Sequence, residues 1–158
     1  MEKIKSVSKE LKTPEQYLNN TEMIRSDSGV IQMKLVTPRL ERYKTPESIE
    51  KFPKGIQIEF YDLNLKPKAF LRADWAINYE DRNQMEAKQN VVIVDYRKGD
   101  TIYTEHITWD QSRKVIYSNE FVKRINKDGV LYGKGFEADE TFENLVLFQP
   151  RSTMYIED

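Results

Sequence analysis

Cysteine is absent from the 158 residues, so neither a disulfide framework nor a thiolate metal site can form. Histidine occurs once, at His106, which excludes a histidine-rich metal centre and leaves a Ser-His-Asp arrangement a single base to use. Charge of either sign is not in excess: Lys+Arg number 25 against 26 Asp+Glu, so no global field draws in nucleic acid. The basic residues are scattered and leave no nucleic-acid footprint. Apolar runs of about 18 residues are missing, which excludes a membrane-spanning helix within this sequence. No signal peptide is visible. The missing cysteines do not fix a compartment, because exported proteins also do without them. Met1 precedes a very polar stretch, EKIKSVSKELKTPEQYLNN, and a leader or anchor is expected ahead of it.

What is present is a change of period. Residues 1–20 are charged and weakly patterned and read as a flexible N-terminal arm, with a helical turn expected from Thr13, Pro14 and Gln16. From Thr21 onward apolar residues alternate. Ile31, Met33 and Leu35 share one face, as do Ile56, Ile58 and Phe60, and as do Leu71, Ala73, Trp75, Ile77 and Tyr79. Turn chemistry breaks the runs at Ser28-Gly29, Asn64, Gly99-Asp100 and Asp128-Gly129. A helical turn is expected at TPESIEKF, with Thr45 as cap and Pro46 next, inside a long link over residues 37–54. The remainder reads as antiparallel and all-β, with a flexible arm over 1–20 and one domain over 21–158.

A hairpin unit recurs. Tyr79-Glu80 aligns with Trp109-Asp110 at an offset of 30, and that with Ala138-Asp139 at an offset of 29; Met85 then falls on Val115. Each unit is a strand, an acidic turn and a strand, and such units bury their faces only by stacking or rolling together. Within the second unit Ile102 and Thr104 precede Ile107 and Trp109 with opposite parity. The third slips the same way, from Leu131 and Gly133 to Phe136 and Ala138. A β-bulge produces such a slip. Gly133 and Gly135 would serve a sharp bend with close backbone approach, or simply the coil of a tight roll.

The segments Thr104–Asp110, Ile116–Val122 and Leu131–Asp139 together resemble the LptC-like family, the periplasmic component of the lipopolysaccharide export (Lpt) system. The shared pattern is a small residue, an apolar residue, an aromatic and an acid, then i-x-S-x-x-x-V, then i-x-G-x-G-l-x-x-D. Ser26-Asp27-Ser28-Gly29 before alternating Ile31, Met33 and Leu35 is similar to the family's opening hairpin. The resemblance spans roughly residues 20–157 and is densest over 100–148. It implies a twisted, open antiparallel β-jellyroll of the OstA/LptA/LptC kind with an apolar interior, and no cofactor. It also implies anchorage at the inner membrane, receipt of lipopolysaccharide from an ABC transporter complex of LptB/F/G-like subunits, and delivery to an LptA-like bridge protein. This sequence departs from the pattern in lacking an N-terminal anchor.

A lipid with several acyl chains needs a continuous apolar lining in water, at about 0.8 kcal/mol per buried CH2. The expected lining is Met33, Ile56, Ile58, Phe60, Trp75, Ile77, Tyr79, Ile107, Trp109 and Phe136. The same residues equally suit a closed core. The last edge, with Leu145, Leu147, Met154 and Ile156, is expected to offer a partner its unpaired backbone. Lys54, Lys66, Lys68 and Arg72 are a loose group that could meet lipid phosphates.

Catalysis has little to stand on. No G-x-S-x-G elbow and no phosphate loop occurs. The acids Asp74, Glu80, Asp81, Asp110, Asp139 and Glu140 sit at turns, as turn formers do. Two alternatives remain open beside lipid transport: a non-catalytic β-roll scaffold of the cell envelope, and a carbohydrate-active enzyme with converging carboxylates.

Overall fold

The computed structural model describes residues 14–154. Fourteen strands form: β1 Gln16–Asp27, β2 Val30–Tyr43, β3 Ile49–Phe52, β4 Ile56–Tyr61, β5 Pro67–Ala73, β6 Trp75–Tyr79, β7 Gln84–Asp95, β8 Asp100–Asp110, β9 Val115–Ser118, β10 Val122–Asn126, β11 Gly129–Gly133, β12 Phe136–Asp139, β13 Leu145–Leu147 and β14 Arg151–Met154. A 3-10 turn at Glu80–Arg82 joins β6 to β7. Among the described residues no helix is long and apolar enough to cross a membrane.

Every strand pair is antiparallel, and the sheet folds over on itself. One layer runs β1-β2-β4-β5-β7-β8-β10-β11-β14. The second runs β1-β2-β3-β6-β7-β8-β9-β12-β13. The long strands β1, β2, β7 and β8 give one half to each layer. The corner between layers follows a line of irregular residues: Pro38 in β2, the link before Ile56, Asp74, Gln89-Asn90, Glu105 and Lys134-Gly135. Bending a sheet costs ladder hydrogen bonds, and side chains replace them here. The Asn90 amide donates to Glu105 at 2.9 Å, Asn90 Nδ2 to Asp74 at 2.6 Å, and Arg72 to the Asn90 carbonyl at 2.6 Å. Thr37 Oγ1 donates to the Gly55 carbonyl at 2.7 Å.

The layers close over one apolar core. Leu35, Ile58, Phe60, Leu71, Ile93 and Ile102 enter from the first layer, and Phe52, Ala87, Ile107, Trp109, Ile116 and Phe136 from the second. This is a twisted antiparallel roll, as the alternation predicts.

Four local expectations change. The segment TPESIEKF forms no helical turn: Ile49–Phe52 is strand β3, paired with β2 and β6. A Thr-Pro start is a local preference, and pairing on both sides overrides it. The link over 37–54 is mostly strand, because β2 continues to Tyr43. Strand β1 begins at Gln16, paired with Arg42, so the boundary expected at Thr21 falls inside a strand, and the helical turn expected from Thr13, Pro14 and Gln16 gives way to it: Glu15 already donates its amide to the Arg42 carbonyl at 2.9 Å, while residues 1–13 of the expected arm lie outside the described residues. The phase slip of the second unit coincides with an extra residue on β7, where Gln89 and Asn90 stand against Glu105. In the third unit the slip is a break between β11 and β12, which pair in different layers.

Candidate functional site

The interior is built by register. One row crosses the second layer as Asn78, Met85, Trp109, Ile116, Ala138 and Leu145, each opposite the next. In the first layer Met33, Phe60, Ala69 and Asp95 form the matching row. The rows meet where the Phe60 and Trp109 rings stand edge to face, 5.7 Å apart at 62°. Seven of the ten expected lining residues reach this interior: Met33, Ile56, Ile58, Phe60, Ile107, Trp109 and Phe136, with Met33 the most exposed at 9%.

Trp75, Ile77 and Tyr79 do not. They stand on the outer face of the second layer with Tyr43 and Ile49. Lys88 lies over the Trp75 ring at 5.2 Å and Arg82 over Tyr79 at 4.4 Å. The cause is a one-residue step at Asp74, whose amide donates to the Gln89 carbonyl between β5 and β6. A one-residue slip turns every following side chain to the other face. Leu71 and Ala73 therefore point inward, and Ala76 and Asn78 take the inward positions of β6. The structural equivalent of Trp109 is Asn78, at an offset of 31 rather than 30.

The two kinds of turn separate onto the two lips of the roll, opposite the corner. The first layer ends in the turns at Ser28-Gly29, Asn64, Gly99 and Asp128-Gly129; the second ends in the acidic turns at Glu80, Asp110 and Asp139. The carboxylates there are occupied as turn formers. Asp110 accepts the Arg113 amide at 3.1 Å. Asp139 accepts Thr141 Oγ1 at 2.7 Å, Asn144 Nδ2 at 3.0 Å and the Glu143 amide at 3.1 Å. Burial works to raise the Asp139 pKa, but these hydrogen bonds outweigh it and hold it below the usual carboxylate value. At the corner, the bonds from Arg72 and then Asn90 lower the pKa of Asp74.

The lips touch. Phe142, in the β12–β13 turn, folds inward to 1% exposure and meets Phe60 edge to face at 5.4 Å. Trp109 Nε1 donates to Glu140 at 2.7 Å, and Lys98 Nζ, from the opposite lip, donates to the Glu143 carbonyl at 2.7 Å. Neither Phe142 nor Lys98 stood out in the sequence, because a lone aromatic in a polar turn breaks the alternation that marks interior residues.

The remaining expectations fall as follows. Gly135 has φ +124°, and a Cβ there would lie 2.7 Å from the Ser118 carbonyl oxygen; at Gly133 it would lie 2.9 Å from that of Phe148. Leu145 and Leu147 lie on β13, which pairs only with β12 among the described strands, and both pack against the core. Met154 ends β14, paired with Gly129; Ile156 lies outside the described residues. Lys66 and Lys68 sit at the first-layer lip, whereas Lys54 and Arg72 line a cleft of about 400 Å³ at the corner, so the four are not one group. His106 pairs with Glu86 at 2.8 Å across β7 and β8. Among the described residues no three His, Asp or Glu side chains are placed to hold a metal ion.

Among solved structures, the chain is similar to LptH, the LptA-homologous periplasmic component of the lipopolysaccharide transport device of Pseudomonas aeruginosa. The identity is 13%, the match covers 94% of this chain and 99% of that one, and the TM-score is 0.43. No curated protein sequence matches. The family model for lipopolysaccharide-assembly, LptC-related proteins matches residues 2–155. The chain belongs to the LptC-related family of lipopolysaccharide-assembly proteins.

Proposed function

We propose that the roll takes up the acyl chains of lipopolysaccharide between its layers and relays the lipid from an inner-membrane ABC transporter complex to a periplasmic bridge protein of the same fold. The family implies a role in lipopolysaccharide transport. The relay is our reading, as are the non-catalytic role and attachment at the inner membrane. One observation carries it: a single apolar interior, drawn from both layers, runs between two sheet edges. Strand β1 pairs only with β2, while β13 and β14 pair only with β12 and β11, among the described strands. Unpaired strand edges accept a further strand, and a partner of the same fold seated there would continue the interior.

Transfer is the test. Labelled lipopolysaccharide is loaded, immobilised bridge protein is added, and a photo-crosslinker sits at Val146, 56% exposed on β13. The relay predicts movement of label together with a Val146 adduct to the bridge protein. The absence of both transfer and adduct would refute it.

A scaffold with a sealed core is the second reading. What favours it is that Ile58, Leu40, Ala69, Ile93 and Phe136 are fully buried by their neighbours. A lipid carrier must therefore open.

A further inference from the structure

The lips are joined by bonds of unusual kind for a core. Arg97 and Lys98, in the β7–β8 turn, donate to the Thr141 and Glu143 carbonyls of the β12–β13 turn. From β1, Arg25 reaches Glu140 at 3.9 Å and lies 5.4 Å over the Trp109 ring. Arg25 Nε is buried without a hydrogen-bond partner among the described residues. The acids of the first lip are turned to their own backbone: Asp95 accepts the Arg97 amide at 3.0 Å and Asp62 the Lys66 amide at 3.0 Å. Cations of one lip thus hold the other lip, through exposed contacts that are individually weak. Lys68 stands near Arg97, Glu143 and Asp139, and burial and then Arg97 lower its pKa.

Inside this clasp sits one side chain. Phe142 has φ +59°, a region that suits glycine and strains a bulky residue, and its ring fills the mouth against Phe60. Strain of this kind persists only where surrounding contacts hold it.

We propose that the Glu140–Asn144 turn is a gate over the interior, that Phe142 is its plug, and that an anionic lipid headgroup opens it by competing for Arg25, Arg97 and Lys98. This rests on the lipid-carrier reading. Phosphate oxygens accept the same donors that now reach loop carbonyls. Once those donors turn away, the Phe142 ring is left packed over Phe60 at the mouth.

The cysteine-free chain makes the gate testable. Lys98→Cys and Glu143→Cys are joined by a short reducible bis-maleimide, and a photo-crosslinker at Ile58 reports lipopolysaccharide inside. The gate predicts at least a fivefold loss of adduct on bridging and its return on reduction. Equal yields with and without the bridge would overturn the gate while leaving the carrier reading intact. No adduct even without the bridge would overturn the carrier reading and this headgroup-driven opening with it. A lipid-free measurement tests the plug alone. Thiol labelling is followed at Met33→Cys, near the mouth, and at Ala73→Cys, near the corner, with and without Phe142→Ala. The plug predicts roughly tenfold faster labelling at Met33→Cys only. Equal acceleration at both sites, or none at either, would mean that Phe142 is ordinary core.

Discussion

Phe60 and Trp109 lie on opposite layers of the roll, yet their rings meet edge to face at 5.7 Å. The contact makes one interior of two half-sheets. Edge-to-face aromatic pairs add about 0.5–1.5 kcal/mol beyond area burial. A lipid occupying this part of the interior has to part the pair.

The two tryptophans should therefore report different environments. Trp109 is 2% exposed inside, while Trp75 stands on the outer face beneath Lys88. Acrylamide quenching of Trp75→Phe, where only Trp109 emits, should be several-fold weaker than that of Trp109→Phe. Equal quenching would contradict the assignment of faces.

Gly135→Ala should destabilise strongly. The added Cβ would lie 2.7 Å from the Ser118 carbonyl oxygen, at φ +124°. The expected loss is on the order of 1–3 kcal/mol for backbone strain, before the clash is added. Gly99→Ala has φ +73° with open space around it and should cost about 1 kcal/mol. Urea unfolding of the two variants checks the order.

Tyr43 should ionise late. Its pKa is raised to about 12, first by burial and then by the hydrogen bond it donates to Glu41. The native fold favours the neutral phenol. That contribution is fully present below the ordinary value of 10.0 and is lost as pH rises through about 12. Absorbance near 295 nm should show a late step that Tyr43→Phe removes.

Asp139 should make the β12–β13 turn acid-sensitive. Its lowered pKa means the turn gains stability above the ordinary carboxylate value of 3.8 and loses it as pH falls through the lower folded value. The stability gap between the wild type and Asp139→Asn should shrink across that range. A gap that stays constant would remove Asp139 from the turn's support.

Much of this was legible in the sequence. Alternation at Met33, Leu35, Ile56, Ile58 and Phe60 identified interior positions, because period two is the geometry of a strand. Ser28-Gly29, Gly99 and Gly129 marked turns through positive φ. The wrong face for Trp75, Ile77 and Tyr79 came from Asp74, a single step in a run that otherwise reads as unbroken. Its cause is the extra β7 residue at Gln89-Asn90, so no local signal at Asp74 reveals it. Strand β3 was hidden by Thr45-Pro46, whose local preference yields to pairing on both sides. The gate was invisible for a related reason: Phe142 is buried by a turn that closes over it, not by periodicity.

The separation of faces also provides the most direct test of the whole account. A photo-crosslinking residue is placed at Ile58, fully buried between the layers, and separately at Trp75, outside the second layer. Each protein is then exposed to purified lipopolysaccharide. The account predicts strong adducts at Ile58 and only background at Trp75. Adducts at Trp75 that match or exceed those at Ile58, or none at Ile58 in a folded protein, would contradict it.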